Sequence, residues 1–81
     1  MRVNILLFAH YRELAGTDAV ALELPDGATA ADAVARLRAA GATLARIPAA
    51  PALAVNEAYA PLETALADGD EVALLPPVAG G

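Results

Sequence analysis

A single capped helical pattern, from Thr29 to Gly41, stands between segments that alternate like strands, and it confines the chain to a sheet with one main helix laid across it. Thr29 is a good N-cap residue, and Asp32 occupies the capping-box position three residues on. Ala30, Ala33, Val34, Leu37 and Ala40 recur at helical spacing on one stripe, while Asp32 and Arg36 lie four apart on the outer face. Gly41 is placed to end the helix as its C′ residue.

The flanking segments read as strands. Val3 to Phe8 is an apolar run broken only by Asn4, which predicts a strand buried on both faces at the centre of a sheet. Ala9 to Thr17 turns the chain, with turn chemistry in Gly16-Thr17-Asp18. Val20, Leu22 and Leu24 then alternate with Ala21 and Glu23 as a second strand, paired to the first as a hairpin and stopped by Pro25-Asp26-Gly27. Ala42 to Pro51 is a connector carrying Pro48 and Pro51. Leu53-Ala54-Val55 is a short strand, Asn56-Glu57 a tight turn, and an extended piece around Tyr59 follows, with Leu62 and Leu66 as apolar anchors. After the turn Asp68-Gly69-Asp70, Glu71 to Leu75 forms the last strand, with Val72 and Leu74 on one face and Ala73 and Leu75 on the other. Strands, a helix and more strands describe an α+β unit with a mixed sheet and one main helix packed on one face.

Composition narrows the function more than the fold. In 81 residues there is room for one domain, and 23 alanines leave 24 larger apolar side chains for its interior. Cysteine is absent, which removes disulfides, thiolate nucleophiles and thiolate metal ligands. Ten acidic residues against five basic ones give a net charge of −5, so nucleic acid is not an expected partner. All five basic residues are arginines, and without lysine the chain offers no side-chain amine for isopeptide attachment. No apolar run approaches the roughly 18 to 20 residues of a membrane span, and a cytoplasmic protein is expected.

Side-chain catalysis finds no foothold. His10 is the only histidine and serine does not occur, so neither a hydrolase triad nor a Cys–His pair can be assembled. His10 is expected in a loop, solvated or bonded to backbone. Asp68, Asp70 and Glu71 cluster beside a glycine without the ligand spacing of a calcium loop, and no metal site is expected. No glycine-rich loop joins a strand to a helix as a phosphate cradle. Tyr11 and Tyr59 read as core or rim residues.

The end of the sequence differs. Ala79-Gly80-Gly81 follows directly on Val72-Ala73-Leu74-Leu75-Pro76-Pro77-Val78. Pro76-Pro77 cannot continue a ladder and fixes two φ angles, so a body over 1–75 and a flexible C-terminal tail over 76–81 are expected. Six extended residues span up to roughly 20 Å, enough to thread a deep pocket in another protein. Val78 would pack at the mouth of such a pocket and Ala79, Gly80 and Gly81 pass its narrowest part. A main-chain carboxylate with no Cβ beside it suits a narrow channel, in which an enzyme can activate it.

Together these pieces resemble the small subunits of molybdopterin synthase, which are ubiquitin-like sulfur carriers. The matching residues are Phe8-Ala9, Arg12-Glu13-Leu14-Ala15-Gly16-Thr17, Ala54-Val55-Asn56, Leu66-Ala67-Asp68-Gly69-Asp70-Glu71-Val72-Ala73 and Pro76-Pro77-Val78-Ala79-Gly80-Gly81, while the connector Ala42 to Ala50 carries none of the family pattern. The resemblance implies a ubiquitin-like β-grasp fold whose terminal Gly81 is adenylated by an E1-like partner, which uses ATP, and is then converted to a thiocarboxylate. It implies that the tail enters the large catalytic subunit and delivers sulfur to a cyclic pyranopterin, forming the dithiolene of molybdopterin. Phe8, Leu75, Pro76, Pro77, Val78, Ala79 and Gly80 would then bind partners. The chain would hold no cofactor of its own, and the acid–base groups would belong to the large subunit. Similar carriers serve thiamine, cysteine or tRNA thiolation, and ubiquitin-like modifiers and binding modules share the architecture. The Pro-Pro-Val lead and the Arg-Glu-Leu segment favour the molybdenum pathway.

Overall fold

Both periodicities are realised in space. The order is β1 (Arg2–Leu7), α1 (Ala9–Ala15), β2 (Ala19–Glu23), α2 (Ala30–Arg38), a 3₁₀ turn (Leu44–Arg46), β3 (Ala52–Val55), β4 (Ala58–Ala60) and β5 (Glu71–Leu75). The computed structural model describes residues 1–77.

The five strands form one sheet in the order β2-β1-β5-β3-β4. β1 and β2 are an antiparallel hairpin with Val3 opposite Leu22 and Ile5 opposite Val20. β5 is inserted at the centre, parallel to β1 and antiparallel to β3, so that Leu74 stands between Leu7 and Leu53. This is the mixed sheet of a β-grasp fold, with α2 on one face. Val3, Ile5, Leu7, Leu22, Leu53, Val72 and Leu74 share one core with Ala30, Ala33, Val34 and Leu37 of the helix. Each fully buried Val, Leu or Ile contributes roughly 1.5–3 kcal/mol relative to exposure.

The capping box forms as expected. The Asp32 N–H donates to Thr29 Oγ1 at 3.3 Å and the Thr29 N–H donates to Asp32 Oδ2 at 2.9 Å. The N–H groups of Ala30 and Ala31, which a helix leaves without internal partners, donate to the carbonyls of Thr64 and Leu62 at 2.9 and 2.8 Å. The backbone carbonyls of Leu62 and Thr64 thus tie the segment between β4 and β5 to the start of α2.

Four local expectations are corrected. α2 ends at Arg38, with Ala39 as a right-handed C-cap and Ala40 exposed, so Gly41 does not close it. The cause lies outside the helix: Arg38 donates from Nε to the Ile47 carbonyl at 2.6 Å and from Nη2 to the Ala45 carbonyl at 3.2 Å. That clamp folds the connector back and seats Ile47, fully buried, in the core. Second, Ala9 to Ala15 is a helix of about two turns, closed by Gly16 at φ +72°, whose N–H donates to the Arg12 carbonyl. Third, His10 therefore lies on a helix, with Nδ1 3.7 Å from Glu13 Oε2. Fourth, β1 is neither central nor buried on both faces: Arg2 and Asn4 are exposed and Leu6 is half-buried, because α2 covers only one side of the sheet.

Candidate functional site

β5 ends at Leu75, and Pro76 and Pro77 follow without an N–H to extend the ladder. Leu7 is opposite Leu74 in the parallel pairing, so Phe8, just past the end of β1, and Leu75, the last residue of β5, lie together at one end of two neighbouring strands. Phe8 is the extended N-cap of α1, and its carbonyl accepts from the N–H groups of Tyr11 and Arg12 at 3.0 and 3.3 Å. Its backbone is thereby fixed while 46% of the residue stays open to solvent. The next residue, Ala9, takes φ +48°, a left-handed conformation that costs a non-glycine residue on the order of 1 kcal/mol. It makes the sharp change from strand to helix that leaves Phe8 at the surface.

The face of the sheet opposite α2 divides into two halves. Ala19, Leu6, Ala73, Ala54 and Tyr59 stand opposite one another in turn, forming an apolar row across all five strands. The next positions toward the exit, Leu75 and its partner Ala52, extend it. Away from the exit the facing residues turn polar, with Asn4 opposite Glu71 and Arg2 opposite Glu23. Tyr59 is the most exposed large apolar side chain here, at 87%. The apolar half and the Pro76-Pro77 exit are therefore continuous.

Beside the exit runs an open apolar groove of about 450 Å³, lined by Tyr11, Pro48, Pro51, Tyr59 and the segment Leu75 to Pro77. Its outer wall is the connector held by Arg38. A smaller hollow of about 230 Å³ lies around Phe8, with Leu6, Arg12 and Asp18 on its walls. At the opposite end of β5, Asp70 accepts from the Ala67 N–H and from Asn56 Nδ2, at 2.8 and 2.9 Å. The backbone bond first and the Asn56 bond second hold its carboxyl below the usual carboxylate range. These bonds brace the turn before β5 and the Asn56-Glu57 hairpin turn, where both residues have positive φ.

The structure thus joins Phe8, Leu75, Pro76 and Pro77 on one surface. Val78, Ala79, Gly80 and Gly81 lie outside the described residues. Among the described residues no group of three or more His, Asp or Glu side chains is arranged to hold a metal ion, and no helix is long and apolar enough to cross a membrane. Sequence reasoning missed Leu6, Ala54, Ala73 and Tyr59 as a single surface, since only the register aligns them. The signal that could have found part of it is Leu6 and Ala73, apolar residues on strand positions facing away from the helix.

A model described as the ThiS family matches residues 5–81. The molybdopterin synthase sulfur carrier subunit of Chlamydomonas reinhardtii is 40% identical over 83 residues, covering 100% of this chain and 100% of that protein. SAMP1 from Haloferax volcanii superposes with a TM-score of 0.88 at 32% identity, covering 100% of both chains. A chain in the complex of subunits 1 and 2 of the molybdopterin-converting factor from Helicobacter pylori superposes with a TM-score of 0.72 at 27% identity, again covering 100% of both.

Proposed function

This chain belongs to the ThiS family, and we propose that it is the sulfur-carrier subunit of a molybdopterin synthase. The observation that carries the reading is the continuity of the Pro76-Pro77 exit with the apolar half-face of Leu6, Phe8, Leu75 and Tyr59. Such a surface can dock against a large subunit while the residues after Pro77 enter it. Burying Phe8 there adds roughly 1.5–3 kcal/mol. The full-length likeness to a sulfur-carrier subunit and to a chain paired with a second subunit supports the same partner.

In this reading Gly81 carries the chemistry through its carboxyl group. An E1-like partner binds ATP and joins that carboxylate to AMP, releasing pyrophosphate. A sulfur donor then displaces AMP to leave a thiocarboxylate, and the large subunit directs that sulfur onto a cyclic pyranopterin to build the dithiolene. This chain binds no cofactor and supplies no general acid or base; it positions a main-chain terminus. The reaction is assigned to the cytoplasm, where ATP is at hand.

The test is removal of Gly81. Complementation of a cofactor-deficient strain should fail, while the thermal midpoint should be unchanged, because chain ends bury little in the free protein. Full activity in the truncated protein would end the carrier reading. A second reading, conjugation to other proteins, is favoured by the likeness to SAMP1, a small archaeal modifier protein. Covalent adducts of this chain on other proteins in cell extracts would support it. A carrier for thiamine, cysteine or tRNA thiolation would instead fail to restore the molybdenum cofactor while restoring the other product.

A further inference from the structure

The sequence contains no lysine, and its cationic side chains are Arg2, Arg12, Arg36, Arg38 and Arg46. Cysteine and serine are absent as well. A guanidinium stays protonated at any pH a folded protein meets and offers no lone pair to a carbonyl. The surface therefore lacks the side-chain amines and thiols that capture activated acyl groups. Two of the threonine hydroxyls are also engaged, Thr29 accepting from the Asp32 N–H and Thr64 donating to the Pro61 carbonyl.

The α-amine of Met1 is bound and badly placed for the same reaction. It donates to the Leu24 carbonyl at 2.7 Å and lies 3.6 Å from Asp26 Oδ1. β1 runs parallel to β5 with Asn4 opposite Glu71, which puts Met1 at the opposite end of the sheet from Leu75. Three strand positions from Met1 to Asn4 and four from Glu71 to Leu75 separate the two by roughly 23 Å. Six residues beyond Leu75 span at most about 22 Å even when fully extended, just short of that separation.

From these observations we propose that the chain is a donor only: once Gly81 is activated it acylates outside nucleophiles and keeps no acyl group on its own side chains, so its products stop at one copy per acceptor atom. This rests on the reading of Gly81 as the activated residue. When an amine captures an acyl-adenylate, its nitrogen lone pair bonds to the acyl carbon and the bond from that carbon to the phosphate oxygen breaks. AMP leaves with that electron pair, and the amine gives one proton to water. The one side-chain nitrogen that can begin the step, on the His10 imidazole, gives an acyl-imidazole that water cleaves, so no side chain holds a lasting link that joins copies into chains or closes them into rings. The activated carboxyl is then consumed only by water, by a sulfur donor or by another protein's nucleophile.

The experiment incubates the full-length chain with the E1-like adenylating enzyme and ATP, without a sulfur source, and weighs the products by intact mass spectrometry. One arm contains hydroxylamine, which traps an activated carboxyl as a hydroxamate. Two variants restore an amine: Ala50→Lys on the rim of the groove beside Pro76 and Pro77, and Arg46→Lys on the 3₁₀ turn. Circular dichroism confirms that each is folded. The expected result is a hydroxamate at Gly81 of the parent, no parent self-adduct, and amide-linked dimers or rings formed by loss of water in the lysine variants. Parent dimers or rings alongside the hydroxamate would overturn the donor-only proposal and leave the Gly81 reading standing. Lysine variants that form hydroxamate but no self-adduct would overturn it too, since the missing amine would not be what keeps the copies apart. Absence of hydroxamate from the parent would remove the Gly81 reading and this proposal with it.

Discussion

Leu7 and Leu74 stand opposite each other where β1 and β5 run parallel, and the residues that follow them, Phe8 and Leu75, lie at the same end of the sheet. One pair lies in the core and the next forms the proposed docking surface. The two roles should separate by substitution. Leu74→Ala, at a fully buried position, should cost about 2–5 kcal/mol of folding stability. Phe8→Ala should cost the fold less than about 1 kcal/mol. It should weaken binding to the large subunit by roughly 1.5–3 kcal/mol. Urea unfolding and calorimetric titration measure the two quantities; unchanged affinity in Phe8→Ala would remove Phe8 from the interface.

Arg38 shapes the groove from a distance. Its two hydrogen bonds to the carbonyls of Ile47 and Ala45 hold the connector that carries Pro48 and Pro51. Arg38→Ala should destabilise the fold by about 1–3 kcal/mol by leaving carbonyls unsatisfied. Hydrogen exchange should speed up most in residues 42–51. Uniform exchange across the chain would show that the clamp is not local.

Asp70 sets an acid limit on stability. Its folded-state pKa is depressed by the Ala67 N–H and then by Asn56. The stabilisation is therefore fully present above the unfolded carboxylate pKa of about 4 and is lost as pH falls through the lower folded value. Chemical denaturation at a series of acidic pH values should show this loss in the parent. Asp70→Asn should be less stable at neutral pH and show a flatter acid limb. An identical slope in both proteins would assign the acid limb to other carboxylates.

Much of this architecture was legible because it is local. The Thr29–Asp32 capping box, the stripe through Leu37 and the alternation of Val72 and Leu74 depend on neighbours within a few residues. The helix of Ala9–Ala15 was hidden by its shortness: Tyr11, Leu14 and Ala15 do keep helical spacing, but Gly16-Thr17-Asp18 reads equally well as a turn. The end of α2 could not be read, because Arg38 bonds to carbonyls of Ala45 and Ile47 that only the folded connector brings near. The partial burial of β1 was overread because Leu6 is apolar for the outer face, where α2 does not reach. The resemblance implies Phe8, Leu75, Pro76 and Pro77 as partner-binding residues without saying how they sit together; the row from Ala19 to Tyr59 that joins their surroundings depends on the register of five strands.

At the end of the chain, width should matter more than apolar contact. Gly80→Val restricts φ and adds a branched side chain where a channel must admit the backbone, whereas Val78→Ala removes only two methyl groups. Val78→Ala should cost about 1–2 kcal/mol in binding. Gly80→Val should slow sulfur transfer far more. Single-turnover transfer from pre-formed thiocarboxylate isolates delivery from activation. Equal rates for Gly80→Val and the parent would confine the glycine requirement to adenylation.

The central claim is that the Gly81 carboxyl becomes a thiocarboxylate. The most direct measurement is the intact mass of the chain after incubation with the E1-like enzyme, ATP and a sulfur source, followed by fragmentation. The expected result is a gain of about 16 Da, one oxygen replaced by sulfur, located at Gly81; with no cysteine in the chain, no sulfenic acid can supply it. An unchanged mass, or a gain located at Met1 as methionine oxidation, would contradict the claim.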